Sequence, residues 1–515
     1  DNIEKYSDKE ALDFHTGGKP GKIEIISSKD LATQRDLALA YSPGVAVPCI
    51  EISKNEQSAY DYTSKGNLVA VISNGSAILG LGDLGALASK PVMEGKSVLF
   101  KRFADIDSID IEIDSKDSNE IINCISKISK TFGGINLEDI AAPDCFVIEE
   151  KLKQLVDIPI FHDDQHGTAI ITTAGLINAL DIAKKDIKKV KIVVNGAGAS
   201  AIACTELFKN SGVPNENVIM CDRKGVIYRG RPGELSQWKS KHAIATECRT
   251  LEDAVKGADV ILGLSAAGAI TQGMIKSMAK NPIIFACANP EPEIRPEKVL
   301  EVRDDAIIAT GRSDYPNQVN NLIGFPYIFR GALDVQAKTI NEEMKVAAAQ
   351  AIAKLAREDV PDEVVAAYGG DRPHYGKDYI IPSTFDPRLI TTIPTAVAKA
   401  AIDSGIAQKP IKDFDAYVNE LEARLDPSVG IMQGINSKIK KAKKRIVFAE
   451  GEDEESLKAA IAFKNYGLGE PILIARDEQE RKIVINEAKS VQGVSEVISS
   501  IFLKEDLSNN QRIAN

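Results

Sequence analysis

Residues 191–201 read KIVVNGAGASA, and this stretch decides the fold of the chain. A mostly apolar run over 191–195 leads into a glycine turn of the pattern G-x-G-x-x-A, and a helix-like stretch follows the turn. The first glycine of this pattern permits a tight turn, the second lets a pyrophosphate approach the backbone, and a small third residue lets the helix pack closely on the strand. The stretch therefore predicts a dinucleotide-binding turn; a closely packed βα turn without a ligand is the alternative. The candidate binding residues are Gly196, Ala197, Gly198, Ala199 and Ala201.

Asp222 is the candidate for the acid that would contact the ribose of the dinucleotide. The run VIMCD at 218–222 ends on Asp222, about 20 residues after the glycine turn, where the dinucleotide-binding pattern places an acceptor for the ribose hydroxyls. Asp222 suits the 2′-hydroxyl of NAD, whereas Arg223 and Lys224, which follow it, suit the 2′-phosphate of NADP. The residues alone leave NAD and NADP open, and the two cations also fit a solvated turn.

Short apolar runs bounded by turn residues recur along the chain, with helical patterns between them, which is typical of a parallel, doubly wound sheet. After the glycine turn, such runs lie at 218–222, 258–265 and 282–290. Before it, strands are predicted at 67–73, 97–104 and 134–141, with a helix over 118–132. The fold class is therefore predicted to be α/β. The predicted domains are an N-terminal α/β domain over 1–160, a Rossmann-like domain over 161–405, a helical linker over 406–427 and a partial α/β segment over 428–515.

Length and composition limit the function classes. The chain has 515 residues, 44% of them hydrophobic, and a formal net charge of −11, the wrong sign for a general nucleic-acid binder. Its seven cysteines form no C-x-x-C pair, and their odd number favours unpaired thiols in a cytoplasmic protein over a disulfide framework. No apolar run approaches the ~20 residues of a membrane span, and the N-terminus lacks the pattern of a secretory signal. We therefore expect neither a nucleic-acid nor a membrane partner.

Two pairs of acids form the next candidate site. Glu138 and Asp139 end a predicted strand, and Asp163 and Asp164 stand just before a predicted helix. Carboxylates at such positions suit Mg²⁺ or Mn²⁺, which prefer oxygen ligands. The second pair also fits a helix cap favoured by the helix dipole. A zinc hydrolase is disfavoured, because the two histidines around this pair flank an aspartate where H-E-x-x-H has glutamate, and no third ligand is evident.

Three further features carry no function by themselves. The glycine-rich loop over 80–85 lacks the G-K-[ST] of a P-loop. In isolation Tyr41 fits a packed aromatic residue and Lys96 a solvated surface amine.

Taken together, these motifs resemble those of malic enzymes, in the same order along the chain. The tail segment RIVFAEGEDEESLKAA at 445–460 resembles the opening of a phosphate acetyltransferase domain, as in the large bacterial malic enzymes. The motifs that carry the resemblance are YSPGVA (41–46), ILGLGDLG (78–85), GK (95–96), LED (137–139), FHDDQHGTA (161–169), GAGASA (196–201), ANPEPE (288–293) and NQVNNLIGFP (317–326).

The resemblance implies oxidation of L-malate by NAD(P)⁺ with loss of carbon dioxide to give pyruvate. It implies that Lys96 is the base that takes the hydroxyl proton and Tyr41 the acid that protonates C3, with Asp163 supporting Lys96 or the metal. Lys96 must be neutral to act, and burial and a nearby divalent cation would both lower its pKa.

The resemblance also implies a ligand set. The metal, Mg²⁺ or Mn²⁺, would be held by Glu138, Asp139 and Asp164. The residues implied at the substrate are Asn289, Asn321, Gly82 and Asp83. Asn289 would also contact the cofactor at its nicotinamide end.

The chain departs from the family pattern at two places. Ala77 stands where many malic enzymes have an arginine for the malate carboxylate, so the backbone N–H groups of the loop over 80–85 are the substitute we expect. The tail is too short for a whole acetyltransferase domain, so no acetyltransferase activity is expected, and acetyl-CoA is expected only as an effector of a longer form. The basic cluster at 438–445 fits a solvated helix face.

The resemblance favours NADP over NAD and implies a homo-oligomer. Malolactic chemistry, in which NAD stays bound and lactate is released, is the alternative activity. A non-catalytic dinucleotide-binding regulator is the alternative from another class.

Overall fold

The structure is a computed structural model, and it describes most of the chain. The described residues are 6–425 without Leu79, together with 439, 442, 444–451, 453–465, 467–479, 482 and 501–503. The chain divides between Val418 and Asn419 into two compact units. The first unit holds a four-stranded and a six-stranded sheet, and the second holds a three-stranded sheet. The predicted α/β fold class is confirmed.

The first sheet is entirely parallel, with the strand order β2-β1-β3-β4. The run predicted as a strand at 67–73 forms β1, whereas only the first half of the run at 134–141 is a strand, β3, which ends at Leu137. Both strands are almost completely buried. The fourth strand of this sheet ends at His162, two residues beyond the domain boundary predicted after residue 160. The strands are β1 (Leu68–Ser73), β2 (Asp107–Glu112), β3 (Gly134–Leu137) and β4 (Ile160–His162).

The strand predicted at 97–104 is wrong, because these residues form the end of the helix α5 (Ala86–Ala104). Met93, Ser97, Phe100 and Ala104 are buried at intervals of three or four residues, which is the period of one helix face. The neighbouring strand is β2 instead, where acids alternate with isoleucines at partly buried positions.

The six-stranded sheet confirms the predicted doubly wound arrangement. Its order is β10-β9-β8-β5-β6-β7, parallel throughout except for the short β7. The chain leaves β5 toward β6 and later returns to its other side at β8, so a crevice for a ligand opens beyond the carboxyl end of β5. The strands are β5 (Ile192–Asn195), β6 (Val218–Asp222), β7 (Gly225–Val226), β8 (Val260–Gly263), β9 (Ile283–Ala286) and β10 (Ile307–Thr310).

Helices cover both sheets of the first unit. Most of α8 is buried, and its N-terminal end adjoins β4. The remaining long helices of this unit are α6 (Ser118–Ile128), α7 (Asp144–Leu155), α8 (Asp163–Ala183), α9 (Ala199–Asn210), α14 (Phe325–Asp334), α15 (Glu342–Arg357) and α16 (Leu389–Asp403). The short helices are α10 (Gln237–Ser240), α11 (Leu251–Val255), α12 (Gln272–Ser277) and α13 (Pro296–Leu300), and α17 (Phe414–Leu425) spans the division between the units.

One hydrophobic core joins the two sheets. Ile72 and Ile135 of the first sheet belong to the same buried cluster as Ile202 of α9 and Met220 of β6. This shared core fixes the position of the first sheet relative to the dinucleotide-binding turn.

Four N-terminal helices stand apart from this core, because none of their residues is buried. They carry exposed apolar side chains, among them Leu12, Phe14, Leu39 and Tyr41 just after the second helix. These helices are α1 (Asp8–Thr16), α2 (Gln34–Ala40), α3 (Ala46–Lys54) and α4 (Ala59–Tyr62).

The second unit contains a small parallel sheet in the order β11-β12-β13. The first three residues of the predicted strand IVFAE lie in β11. Half of the basic cluster at 438–445 lies outside the described residues. The elements are β11 (Lys444–Phe448), α18 (Glu454–Asn465), β12 (Gly469–Ala475) and β13 (Ile501–Leu503).

Two observations bear on the chain as a whole. All seven cysteines are unpaired. No helix in the part of the chain that the structure describes has both the length and the apolar character needed to cross a lipid bilayer.

The close packing of α14 on α16 gives a test of this fold. A Cβ added at Gly331 of α14 would lie 2.6 Å from the carbonyl oxygen of Pro394 in α16. We expect Gly331→Ala to lower the stability of the chain by about 1–3 kcal/mol, because backbone atoms cannot move away cheaply. Thermal unfolding followed by circular dichroism measures the change.

Gly273→Ala is the matched control. Gly273 lies exposed in α12, and the nearest atom to its added Cβ is Thr271 Oγ1 at 3.7 Å. This variant is expected to be neutral or stabilised by up to about 1 kcal/mol, since alanine favours a helix over glycine. Equal melting temperatures for Gly331→Ala and the unchanged chain would contradict the described packing.

Candidate active site

Three carboxylates converge at the carboxyl edge of the first sheet. Glu138 and Asp139 directly follow β3, and Asp164 lies in the first turn of α8. One carboxylate oxygen of each lies within 4.8 Å of the others. Glu138 and Asp139 are buried, and Asp164 is partly exposed. Because Mg²⁺ and Mn²⁺ prefer oxygen ligands, this set fits such an ion.

The backbone explains why these acids meet. β3 and β4 are neighbouring parallel strands, so their carboxyl ends reach the same edge of the sheet. The N–H of Asp139, whose φ is 52°, donates to Asp164 Oδ2 over 2.8 Å. The amide of Asn136 donates to Glu138 Oε2 over 2.9 Å. The chain's own hydrogen bonds therefore hold the acids in position.

The cluster carries more negative charge than its surroundings compensate. Burial raises the pKa of Glu138 to about 8, with the Asp164 carboxylate adding to the rise and Lys96 opposing it. Burial and the Asp139 carboxylate raise the pKa of Asp164 to about 7, again against Lys96. A divalent cation would relieve this repulsion, so the charges as well as the oxygens fit a metal.

Lys96 is a cation that faces the cluster. Its Nζ lies 2.5 Å from Asp163 Oδ2, 3.1 Å from Glu138 Oε2 and 3.9 Å from the centre of the Phe325 ring. Burial lowers the pKa of Lys96, but the carboxylates of Asp163 and Glu138 outweigh burial and raise it above its ordinary value. For the chain by itself, the pKa of Lys96 is therefore raised, whereas burial and a bound cation were expected to lower it.

Asp163 accepts hydrogen bonds from both Lys96 and Asn321, and Asn321 follows the strands of the six-stranded sheet in the chain. Asp163 is completely buried, and its Oδ2 also accepts a hydrogen bond of 3.2 Å from the amide of Asn321. Thr168 Oγ1 in turn donates to Asn321 Oδ1 over 3.2 Å. The structure therefore brings Asn321 into the same polar cluster as Lys96.

The sequence analysis missed Glu149, which fixes the start of α8. Its buried carboxylate accepts the N–H of His162 at 2.9 Å, and it lies 2.7 Å from His166 Nε2 and 2.8 Å from Lys153 Nζ. Because His162 and His166 flank the two aspartates of α8, Glu149 holds that turn from both sides. A glutamate in a mixed-charge helix gives no signal of this role in the sequence.

The glycine turn has the geometry of a phosphate cradle. Gly196 has a φ of 138°, and a Cβ there would lie 2.5 Å from the carbonyl oxygen of Leu264. A Cβ at Gly198 would meet no atom within 4 Å, so the space in front of the turn is open. No side chain caps α9, whose first N–H groups face this space, and Ala201 is buried against the sheet. These features fit the pyrophosphate of a dinucleotide.

Asp222 ends β6 as expected, but its carboxylate already has partners. It accepts hydrogen bonds of 2.9 and 2.6 Å from the guanidinium of Arg231 and one of 2.9 Å from the N–H of Lys224. Arg223 and Lys224 are exposed. Arg231 was missed, because it lies beyond β7 and only the fold brings it back to the end of β6.

Several predicted residues do not join the buried cluster. Tyr41 is 76% exposed, and the hydrogen bonds described for Lys96 run to Asp163 and Glu138 rather than to Tyr41. Asp83 is also exposed and forms an ion pair with Lys116. The other exposed residues of the predicted site are Gly82, Gly198, Arg223 and Asn289.

The loop over 80–85 is a weak candidate for binding the malate carboxylate. The N–H groups of Leu81 and Gly82 donate to the Ile78 carbonyl at 2.9 Å, and those of Leu84 and Gly85 approach the Gly75 carbonyl at 3.2 Å. Most of the loop's donors are therefore used within the loop.

Comparison with known proteins covers nearly all of the chain. The family model for "Malic enzyme, N-terminal domain" matches residues 20–153, that for "Malic enzyme, NAD binding domain" residues 165–366, and that for "Phosphate acetyl/butaryl transferase" residues 430–509. All of the motifs before the tail thus fall within or between the two malic enzyme matches.

Individual relatives agree with these matches. The NADP-dependent malic enzyme of Rhizobium meliloti is 61% identical over 93% of this chain, which spans 63% of that relative's length. The NADP-dependent malic enzyme of Halomonas elongata is 58% identical over 78% of this chain and 94% of its own length. The crystal structure of malic enzyme from Pyrococcus horikoshii is 41% identical, covers 84% of this chain and 98% of its own, and superposes with a TM-score of 0.76. The chain therefore belongs to the malic enzyme family.

Proposed function

We propose that the chain oxidises L-malate with NADP⁺ and decarboxylates it to pyruvate and carbon dioxide. The observation that carries this proposal is the contact of Lys96 with Asp163 and Glu138 beside an oxygen-ligand set that fits a divalent cation. The name NADP-dependent malic enzyme, borne by relatives up to 61% identical, supports the same reaction.

The proposed residue roles follow from the contacts of the buried cluster. Glu138, Asp139 and Asp164 would hold Mg²⁺ or Mn²⁺, which, when bound, supplies Lewis-acid polarisation of the substrate oxygens. Lys96 would accept the proton of the malate hydroxyl as a hydride passes from C2 to the nicotinamide. This requires a neutral amine, and a divalent cation held by the three carboxylates would lower the pKa of Lys96 toward that form.

The remaining roles concern the substrate and the cofactor. Asn321, whose amide donates a hydrogen bond to Asp163, is proposed to orient the substrate near Lys96. Asn289 is proposed to contact the cofactor at its nicotinamide end. Loss of carbon dioxide leaves an enolate whose C3 needs a proton, and Tyr41 is proposed as its donor.

We further propose that the chain works as a homo-oligomer. The helices α1–α4 bury no residue of their own, and the apolar side chains of Leu12, Phe14 and Leu39 are exposed on them. Such a surface is typical of a contact with another protein. Tyr41 lies in the same segment, so a second copy that covers these helices would also remove Tyr41 from solvent.

Two other expectations stay proposals. An effector role for acetyl-CoA would belong to the C-terminal segment matched over 430–509, in a form that carries the whole of that domain. A cytoplasmic location rests on the cysteine pattern of the sequence.

The reaction itself is tested by product analysis. The chain is incubated with L-malate, Mn²⁺ and NADP⁺, and NADPH, pyruvate and lactate are measured together. Equal amounts of NADPH and pyruvate are expected. Lactate without net NADPH would establish malolactic chemistry instead, and dinucleotide binding without any product would establish a non-catalytic regulator.

Lys96→Ala tests the proposed base. Loss of general-base catalysis is expected to lower kcat by about 10²–10⁴-fold or more, while NADP⁺ affinity changes only a few-fold. Steady-state kinetics and equilibrium cofactor binding measure the two effects, and added small primary amines should restore part of kcat.

Lys101→Ala is the control for the loss of a lysine from the same helix. Its side chain is 57% exposed and pairs with Asp105 and Asp107 at the surface. Its kcat should match that of the unchanged chain. Undiminished turnover in Lys96→Ala would remove Lys96 from the base role.

Glu138→Gln tests the metal site without relying on activity. Losing one charged oxygen ligand should weaken Mn²⁺ binding by at least about 10-fold, as measured by calorimetry in the absence of substrates. Glu120→Gln, at an exposed position of α6, is the control and should leave the affinity unchanged. An identical Mn²⁺ titration for both variants would exclude Glu138 as a ligand.

Leu39→Glu tests the proposed assembly. Leu39 of α2 is 62% exposed in the single chain, and a charge there should disfavour its burial against a second copy. The expected result is a lower mass in light scattering after size-exclusion chromatography, together with lower kcat. Leu300→Glu, 55% exposed on α13, should keep the original mass. If Leu39→Glu also keeps it, these helices are not the interface.

A further inference from the structure

Glu293 is a completely buried acid at the carboxyl edge of the six-stranded sheet, and the proposed reaction does not use it. It is the last residue of the motif ANPEPE (288–293). Its Oε1 accepts the N–H of Ser265, in the loop after β8, at 2.9 Å, and its Oε2 accepts the N–H of Ala288, in the loop after β9, at 3.1 Å. Glu293 therefore joins the first residues of two neighbouring loops.

The sheet leaves a space of the right size for this carboxylate. Gly263 is the last residue of β8 and lies opposite Ala286 of the parallel strand β9. A Cβ added at Gly263 would lie 2.5 Å from Glu293 Cδ and 2.8 Å from each carboxylate oxygen. Glycine within a strand often marks such a close approach of another group. The carboxylate of Glu293 thus occupies the place where any other residue at 263 would have its side chain.

Further hydrogen bonds connect these loops to β5. Asn195 ends β5, and its amide donates to Ser265 Oγ over 2.9 Å. The N–H of Leu264 donates to the carbonyl oxygen of Asn195 at 2.9 Å, and the N–H of Ile270 donates to the carbonyl oxygen of Glu293 at 3.2 Å. The carboxyl ends of β5, β8 and β9 are therefore held together around Glu293.

The strand order indicates which part of a dinucleotide would lie over these loops. The glycine turn that fits the pyrophosphate follows β5, and Asp222, the candidate for the ribose contact, ends β6 on one side of β5. A dinucleotide lies across the crevice beyond the carboxyl ends of the strands, so its nicotinamide half lies on the other side, over β8 and β9. Asn289, proposed at the nicotinamide end, directly follows Ala288.

We propose that Glu293 is a positioning residue that holds the loops after β8 and β9 in the arrangement that receives the nicotinamide of the cofactor. This inference rests on the proposed dinucleotide-dependent function. An ionised carboxylate accepts both N–H groups, whereas a glutamine amide offers one acceptor and one donor. In Glu293→Gln, one of the two N–H groups would lose its partner, and its loop would no longer be held.

Binding of two ligands in the absence of malate tests the proposal. NADP⁺ carries the nicotinamide, whereas 2′-phospho-ADP-ribose has the same phosphates and riboses without it. Calorimetry measures the affinity of each variant for both ligands. In Glu293→Gln the affinity for NADP⁺ should fall about 10-fold, because the arrangement that receives the nicotinamide becomes a minor state. The affinity for 2′-phospho-ADP-ribose should stay within about 2-fold, since that ligand does not reach these loops.

Gly263→Ala tests the same contact from the neighbouring strand. Its added Cβ would displace the Glu293 carboxylate, so this variant should lose NADP⁺ affinity and keep the affinity for 2′-phospho-ADP-ribose. Glu297→Gln, at an exposed position of α13, and Gly273→Ala, at an exposed position of α12, are the matched controls. Both should bind the two ligands as the unchanged chain does.

Each outcome bears on the proposal. Undiminished NADP⁺ affinity in Glu293→Gln would overturn it, and an equal loss for both ligands would leave Glu293 as a residue that only stabilises the sheet. Melting temperatures identify a variant that fails to fold, and if Glu293→Gln does so, Gly263→Ala decides the result. Because malate is absent, a chain that binds NADP⁺ as described but does not oxidise malate would contradict the proposed reaction and not this inference.

Discussion

The structure depends on keeping four carboxylates together at the carboxyl edge of one sheet. Glu138 and Asp139 directly follow β3, and Asp163 and Asp164 begin α8 directly after the neighbouring parallel strand β4. All but Asp164 are buried. Buried acids repel one another and lose hydration, so they persist only beside compensating charge. Lys96 supplies part of that charge, and the raised pKa values of Glu138 and Asp164 show that the compensation is incomplete. This unmet need for positive charge supports the proposal that the cluster holds a divalent cation.

The same principle organises the other polar groups. Glu149 is neutralised by Lys153 and at the same time fixes the turn that presents two of the acids. Asp222 is paired with Arg231 at the end of β6. The proposed ligands, malate and a dinucleotide phosphate, are both anions, whereas the chain has a net charge of −11. The proposed function therefore requires local positive charge, which Lys96 and a divalent cation at the carboxylate cluster would supply.

The parts of this arrangement that follow from local sequence were predictable. The glycine turn, the strand before it and Asp222 lie within one short segment. The two pairs of acids were recognised as a candidate metal site from their residue type and position, whereas the role of Lys96 came only from the resemblance. The helix over 97–104 was predicted as a strand because its apolar residues alone do not distinguish the two periods in so short a window. Glu149 and Arg231 act through contacts made by the tertiary fold, so no local pattern marks them. The exposure of Tyr41 likewise depends on the packing of α1–α4 and cannot be inferred from its motif.

Lys96 and the carboxylate cluster are proposed to form one reaction centre for malate. Crystals grown with Mn²⁺, NADP⁺ and a non-reactive malate analogue, analysed by anomalous scattering at the manganese absorption edge, would show the metal and the analogue together. We expect manganese between Glu138, Asp139 and Asp164, with Lys96 Nζ within hydrogen-bond distance of the C2 oxygen of the analogue. Manganese elsewhere in the chain, or an analogue bound away from Lys96, would contradict the proposal.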